Sequence, residues 1–180
     1  MAFARASVRD ADVDGKRVLV RVDFNVPLVD GEVGDDTRIR AALPTIEYLR
    51  EHGAKLILAS HLGRPGGEVD PSLSLAPVAA RLAEFLGTTV EVAADVAGPD
   101  SERLAAGLEA GSVMLIENTR FEVGETKHDP ELAGRMAAIA DVYVNDAFGT
   151  AHRAHASTAG VAALLPAYAG LLLESEVTHL

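Results

Sequence analysis

Cysteine and tryptophan are both absent from the 180-residue sequence. Without thiols there is no disulfide and no thiolate metal site, and nothing calls for an oxidising compartment, so a cytoplasmic setting is the expectation. Aromatic residues are scarce, 4% against 48% hydrophobic residues in all, and the core must be built from Ala, Val, Leu and Ile. Positive charge is short as well. The 16 Lys and Arg face 27 Asp and Glu, a formal net charge of −11. That excludes the broad basic surface by which proteins bind nucleic acid or an anionic membrane, and any anion site has to be local. Long apolar runs are missing too. The longest uncharged run, Ala159 to Leu173, contains Pro166 and Tyr168 and falls short of the ~20 apolar residues that cross a bilayer. Charged residues come too early, at Arg5, for a secretory signal.

What the sequence does have is alternation. Short, nearly solid apolar runs lie at Arg17–Val22, Lys55–Ala59, Thr88–Val92, Val113–Ile116 and Asp141–Val144. Strands buried on both faces look like this. Between them, Asp36–His52, Leu75–Leu86, Pro99–Ala110 and Pro130–Ala140 carry apolar residues at helical spacing, two of them ending at a glycine. The pattern predicts one Rossmann-like α/β domain of three layers, α/β/α, around a mostly parallel sheet with right-handed crossovers. Pro44 falls inside the first helical stretch, where a proline kinks or restarts a helix, so two shorter pieces are expected there. Arg64 to Ser74, rich in Gly and Pro, reads as a long surface loop.

In such a sheet ligands bind at the carboxyl ends of the strands. Four of these ends turn abruptly polar: Asp23-Phe24-Asn25-Val26-Pro27, Ser60-His61-Leu62-Gly63-Arg64-Pro65, Glu117-Asn118-Thr119-Arg120-Phe121 and Asn145 to Arg153. Arg38 and Arg40 stand near the start of the first helix. Convergence of Arg38, His61, Arg64, Arg120 and Arg153 would gather positive charge that repels itself unless a multivalent anion sits among it. Guanidinium forks match phosphate and carboxylate oxygens, so a ligand with one of each fits four arginines. Taken singly, each arginine reads as a solvated surface charge, and Asp23 and Asn25 fit an Asx turn before Pro27 equally well. His61, His152 and His155 would make a zinc site only against nearby arginines and with no acidic or cysteine partner at ligand spacing. No glycine-rich nucleotide loop follows any predicted strand.

The four polar runs, in this order and spacing, resemble the N-terminal domain of phosphoglycerate kinase over essentially the whole chain. Arg21 to Pro27, Ser60 to Pro65, Glu117 to Phe121 and Val144 to Ser157 carry the resemblance. It implies phosphoryl transfer between 1,3-bisphosphoglycerate and ADP, giving 3-phosphoglycerate and ATP with magnesium, in an enzyme that is a monomer when intact. It further implies that Asp23, Asn25 and Arg38 address the carboxyl and hydroxyl end of the glycerate. His61, Leu62, Gly63, Arg64, Arg120 and Arg153 would hold the phosphate that stays behind, and Arg38 would also act in catalysis. Mg-ATP or Mg-ADP would bind through a C-terminal domain that these residues do not include. On this reading residues 1–169 form the substrate-binding domain, Gly170 to Leu180 begin the interdomain helix, and the chain alone binds 3-phosphoglycerate without turnover. An exposed stripe of Leu173, Val177 and Leu180 is expected on that helix. The alternatives are a stand-alone phosphoglycerate sensor and an acid–base enzyme using His61 with Asp23.

Overall fold

A computed structural model describes residues 6–150 and 153–179. Six strands form one parallel sheet, and the solid apolar runs supply its centre. β1 (Arg17–Arg21) lies between β4 (Lys55–Ala59) and β7 (Val142–Asn145); β6 (Val113–Leu115) and β5 (Glu91–Val92) extend one side, and β8 (Ala167–Ala169) closes the other. The remaining strands, β2 (Leu28–Val29) and β3 (Glu32–Val33), make a small antiparallel hairpin outside the sheet.

Alternate side chains of each strand enter opposite cores, as the pleat requires. Val18, Val20, Leu56, Leu58, Leu115 and Val144 face one apolar cluster, with Ile39, Ile46 and Leu49 of α1 (Thr37–Glu51) and Val78 and Leu82 of α2 (Ala76–Leu86). Leu19, Ile57, Met114 and Tyr143 face the other, which receives Ala105 of α3 (Pro99–Ala106) and Leu132 and Met136 of α4 (Pro130–Ala138). The three-layer α/β/α expectation holds, and none of the described helices is long and apolar enough to cross a membrane.

Two details correct the sequence reading. Pro44 does not divide the first helix: α1 is continuous from Thr37 to Glu51. Proline removes one backbone donor, and the burial of Ile39, Ala42, Ile46 and Leu49 on both sides of it keeps the element whole. The apolar stripe on α5 (Leu171–Thr178) is not exposed as a unit. Leu173 is fully buried, Val177 is 44% exposed, and Leu180 lies outside the described residues.

The seat of α5 explains the burial of Leu173. Asp146, at the end of β7, accepts at Oδ1 from the amides of Leu172 and Leu173 (3.0 and 3.2 Å), and Thr45 Oγ1 accepts from the Leu171 amide (3.0 Å). These bonds satisfy donors that a helix N-terminus leaves orphaned. Gly170 is required beside them, because a Cβ there would strike Asp146 Oδ1. Burial raises the Asp146 carboxyl to about 6, against the hydrogen bonds of Thr45, Leu173 and Leu172; its Oδ2 is buried with no hydrogen-bond partner. A carboxyl raised on folding stabilises the fold most below its unfolded value and loses that contribution as pH rises through about 6. Relative to Asp146→Asn, the native protein should therefore gain about 2 kcal/mol of unfolding free energy as pH falls from about 7 to about 4, read by urea denaturation. A gap that does not move with pH would show that the carboxyl is not held as described.

Candidate functional site

From β1 the chain crosses to β4 on one side, whereas from β7 it continues to β8 on the other. The carboxyl ends of β1 and β7 therefore flank the crevice where open α/β sheets bind ligands. A cavity of about 270 Å³ opens there, lined by Asp23, Asn25, Arg38, His61, Gly63, Arg64, Arg120, Gly149, Thr150 and Arg153. Of the sequence-predicted site residues only Leu62 is missing from the lining. It is buried, and its amide and carbonyl are both bonded to Asn118 (3.2 and 2.7 Å).

The loops hold one another rigidly. Asp23 Oδ1 accepts from the Asn25 amide at 3.1 Å, so the Asx turn is real, and the same oxygen accepts from Arg38 at 3.3 Å. The two readings of Asp23 are compatible. Arg38 also donates to the Asn25 carbonyl at 2.7 Å, while its neighbour Arg40 is taken up by Asp36. Asn25 Oδ1 accepts from the Gly63 amide at 2.9 Å, tying the loop after β1 to the loop after β4. Gly63 has φ +62°, and a Cβ there would press on Leu73, so glycine is needed on both counts. Arg120 donates to the Gly63 carbonyl at 3.3 Å. Arg64 and Arg153 are exposed and Arg120 is half-buried.

The charge on these groups is uneven. His61 is 5% exposed, and burial, with Arg21, Arg120, His155 and Arg153 nearby, depresses its pKa to about 3. Burial and the charges of Arg153, Arg21 and Arg64 also depress Arg120 below the ordinary arginine value, against the pull of Glu125. Like charges forced together in a recess favour an anion among them.

Behind the cavity lies a buried polar group that the strand-end reading missed. Arg21 is fully buried; it donates to the Val22 carbonyl and to Ser157 Oγ (2.9 Å), and its Nη2 lies 2.9 Å from His61 Nδ1. Ser157 donates from both Oγ and its amide to the fully buried Glu125 (2.5 and 2.8 Å). Arg21 could have been suspected from sequence, because an arginine ending a solid apolar strand has to be paired when that strand is buried. Glu125 and Ser157, 32 residues apart, carry no such sign. Gly149 and Thr150 fell inside the quoted run after β7 but were not singled out. No group of three His, Cys, Asp or Glu among the described residues could hold a metal ion; His152, one of the three histidines considered for zinc, lies outside those residues.

The family model described as phosphoglycerate kinase matches residues 8–180. The chain belongs to the phosphoglycerate kinase family. Among solved structures, it is similar to phosphoglycerate kinase from Coxiella burnetii, at 45% identity and a TM-score of 0.86 over 95% of this chain and 42% of that one. It is also similar to phosphoglycerate kinase from Pyrococcus horikoshii OT3, at 35% identity and a TM-score of 0.87 over 96% of this chain and 44% of that one. The sequence thus spans less than half the length of these two phosphoglycerate kinases, and the described cavity belongs to that part.

Proposed function

We propose that this chain is the glycerate-binding half of a cytoplasmic phosphoglycerate kinase, and that its cavity holds 3-phosphoglycerate or 1,3-bisphosphoglycerate. One observation carries the reading. In a molecule of net charge −11, four arginines and a neutral histidine line a single recess at the switch point of the sheet. His61, Arg64, Arg120 and Arg153 are the groups suited to the phosphate that is not transferred, because guanidinium donors match its oxygens and an N–H adds a directed bond. Asp23, Asn25 and Arg38 offer both donors and acceptors, as a hydroxyl and carboxyl end requires.

Phosphoryl transfer to or from a carboxylate needs positioning and charge neutralisation, with no protein nucleophile. Arg38, 53% exposed at the open side of the cavity, is assigned to neutralise charge on the moving group. Magnesium nucleotide supplies the phosphoryl donor or acceptor when bound. The described residues do not fit it, because the recess is cationic and no acidic cluster is available for the metal. Its place is assigned to the rest of the enzyme, and residues 1–180 alone should bind without catalysing.

Calorimetric titration with 3-phosphoglycerate should give saturable heat, Mg-ATP should give none, and a coupled assay of the 180 residues should detect no phosphoryl transfer. Turnover by the 180 residues, or heat from Mg-ATP alone, would overturn the assignment.

A further inference from the structure

We propose that Arg21 is a positioning residue that locks His61 as its neutral Nε2–H tautomer, so that the cavity is given an uncharged, directed N–H donor among its arginines. The hydrogen-bond inventory decides the tautomer. A guanidinium has five N–H donors and no acceptor, so the imidazole nitrogen facing it must offer a lone pair. Arg21 Nη2 lies 2.9 Å from His61 Nδ1, which leaves the ring proton on Nε2. That nitrogen has no hydrogen-bond partner among the described residues, and the ring lines the cavity.

Arg21 can enforce this because it cannot turn away. Its Nη1 is bonded to the Val22 carbonyl and its Nε donates to Ser157 Oγ at 2.9 Å. The serine hydroxyl both accepts and donates, passing the link to Glu125 Oε2 at 2.5 Å. Glu125 also holds the Ser157 amide, and Tyr143 donates its hydroxyl to the Ser157 carbonyl at 2.8 Å. A buried carboxylate, a hydroxyl and a guanidinium thus form one chain that ends on the imidazole. The groups facing the ring are Arg21 from β1, Arg120 from the turn after β6, and Arg153 and His155 from the segment after β7; all of them oppose a positive charge on it. A second cation would have no counter-charge in that place, whereas a neutral donor adds none.

The consequence for ligand binding rests on the phosphoglycerate reading. A phosphate monoester titrates with a pKa of about 6. If His61 also charged near there, affinity would follow two linked protons. With the ring locked, affinity follows the phosphate alone, and the ring's own charge stays constant across neutral pH.

Nitrogen-detected NMR of the ligand-free chain tests the lock directly. His61 should show an unprotonated Nδ1 and a protonated Nε2, with no titration from about pH 8 to about pH 5. Arg21→Met should release the ring, so that it mixes tautomers and its titration midpoint rises, while burial and the charges of Arg120, His155 and Arg153 still hold that midpoint below the ordinary histidine value. Arg21→Lys should restore the Nε2–H form by again donating to Nδ1. A purely structural Arg21 would change stability in the Met variant and leave the tautomer alone. An Nδ1–H tautomer in the native chain, or a titration midpoint close to about 6.5, overturns the lock even if neither variant folds. Adding 3-phosphoglycerate is a separate arm. Absence of any shift at Nε2–H, with the ligand-free ring as expected, would count against the phosphoglycerate reading and leave the lock standing.

Discussion

Glu125→Ala should lower the free energy of unfolding by about 3–5 kcal/mol, the usual consequence of removing one member of a buried charge pair. The carboxylate is fully buried and accepts both the amide and the hydroxyl of Ser157. Its loss leaves those donors unsatisfied and leaves the Arg21 guanidinium without its hydroxyl-bridged counter-ion. Glu125→Gln keeps an acceptor of the same size and removes the charge, so it should lose less. Urea denaturation measures both. A change under about 1 kcal/mol in the alanine variant would mean that the chain from Glu125 to His61 contributes little to the fold.

The second large effect has opposite signs in stability and binding. Arg64→Ala and Arg153→Ala should each weaken 3-phosphoglycerate by roughly 1.5–3 kcal/mol, about ten- to a hundredfold, as charge-assisted hydrogen bonds do. Neither should destabilise the ligand-free protein, and Arg153→Ala should stabilise it slightly. Both side chains are exposed, and both contribute to the positive charge that depresses Arg120. A residue that strains the empty site and grips the occupied one is placed for a ligand. Calorimetry and denaturation on the same variants read the two effects, and affinity unchanged in both variants would remove the arginines from the site. Added salt should weaken binding throughout, since part of it is Coulombic.

Much of this was legible in sequence because buried parallel strands have to be solidly apolar, and Arg17–Val22 and Lys55–Ala59 meet β1 and β4 almost residue for residue. The strand ends gave the cavity residues for a related reason: polar groups that follow such a strand can only gather at one edge of the sheet. The misses have physical causes. β8 is an Ala-Tyr-Ala run of three residues whose parallel pairing with β7 depends on a distant partner, and short alanine-rich runs have no strand signature. Helix periodicity similarly overstated α3, which stops at Ala106. The β2–β3 hairpin was missed as well, although its turn carries a sequence sign. Asp30-Gly31 takes up positive φ at both residues, 52° and 77°, the two-residue turn that this pair favours. Leu173 was misassigned because exposure of a helix face depends on what it docks against. Here that is the β7 end, reached through Asp146.

The central claim is that loops from separate strands close on one phosphoglycerate. Backbone amide NMR of residues 1–180 during titration with 3-phosphoglycerate, with glycerate and inorganic phosphate as controls, tests it most directly. The amides of Asn25, Gly63, Arg120, Gly149 and Arg153 should move together along one saturation curve, strongly with 3-phosphoglycerate and weakly with either control. Shifts confined to one loop, or inorganic phosphate matching 3-phosphoglycerate in affinity and pattern, would contradict it.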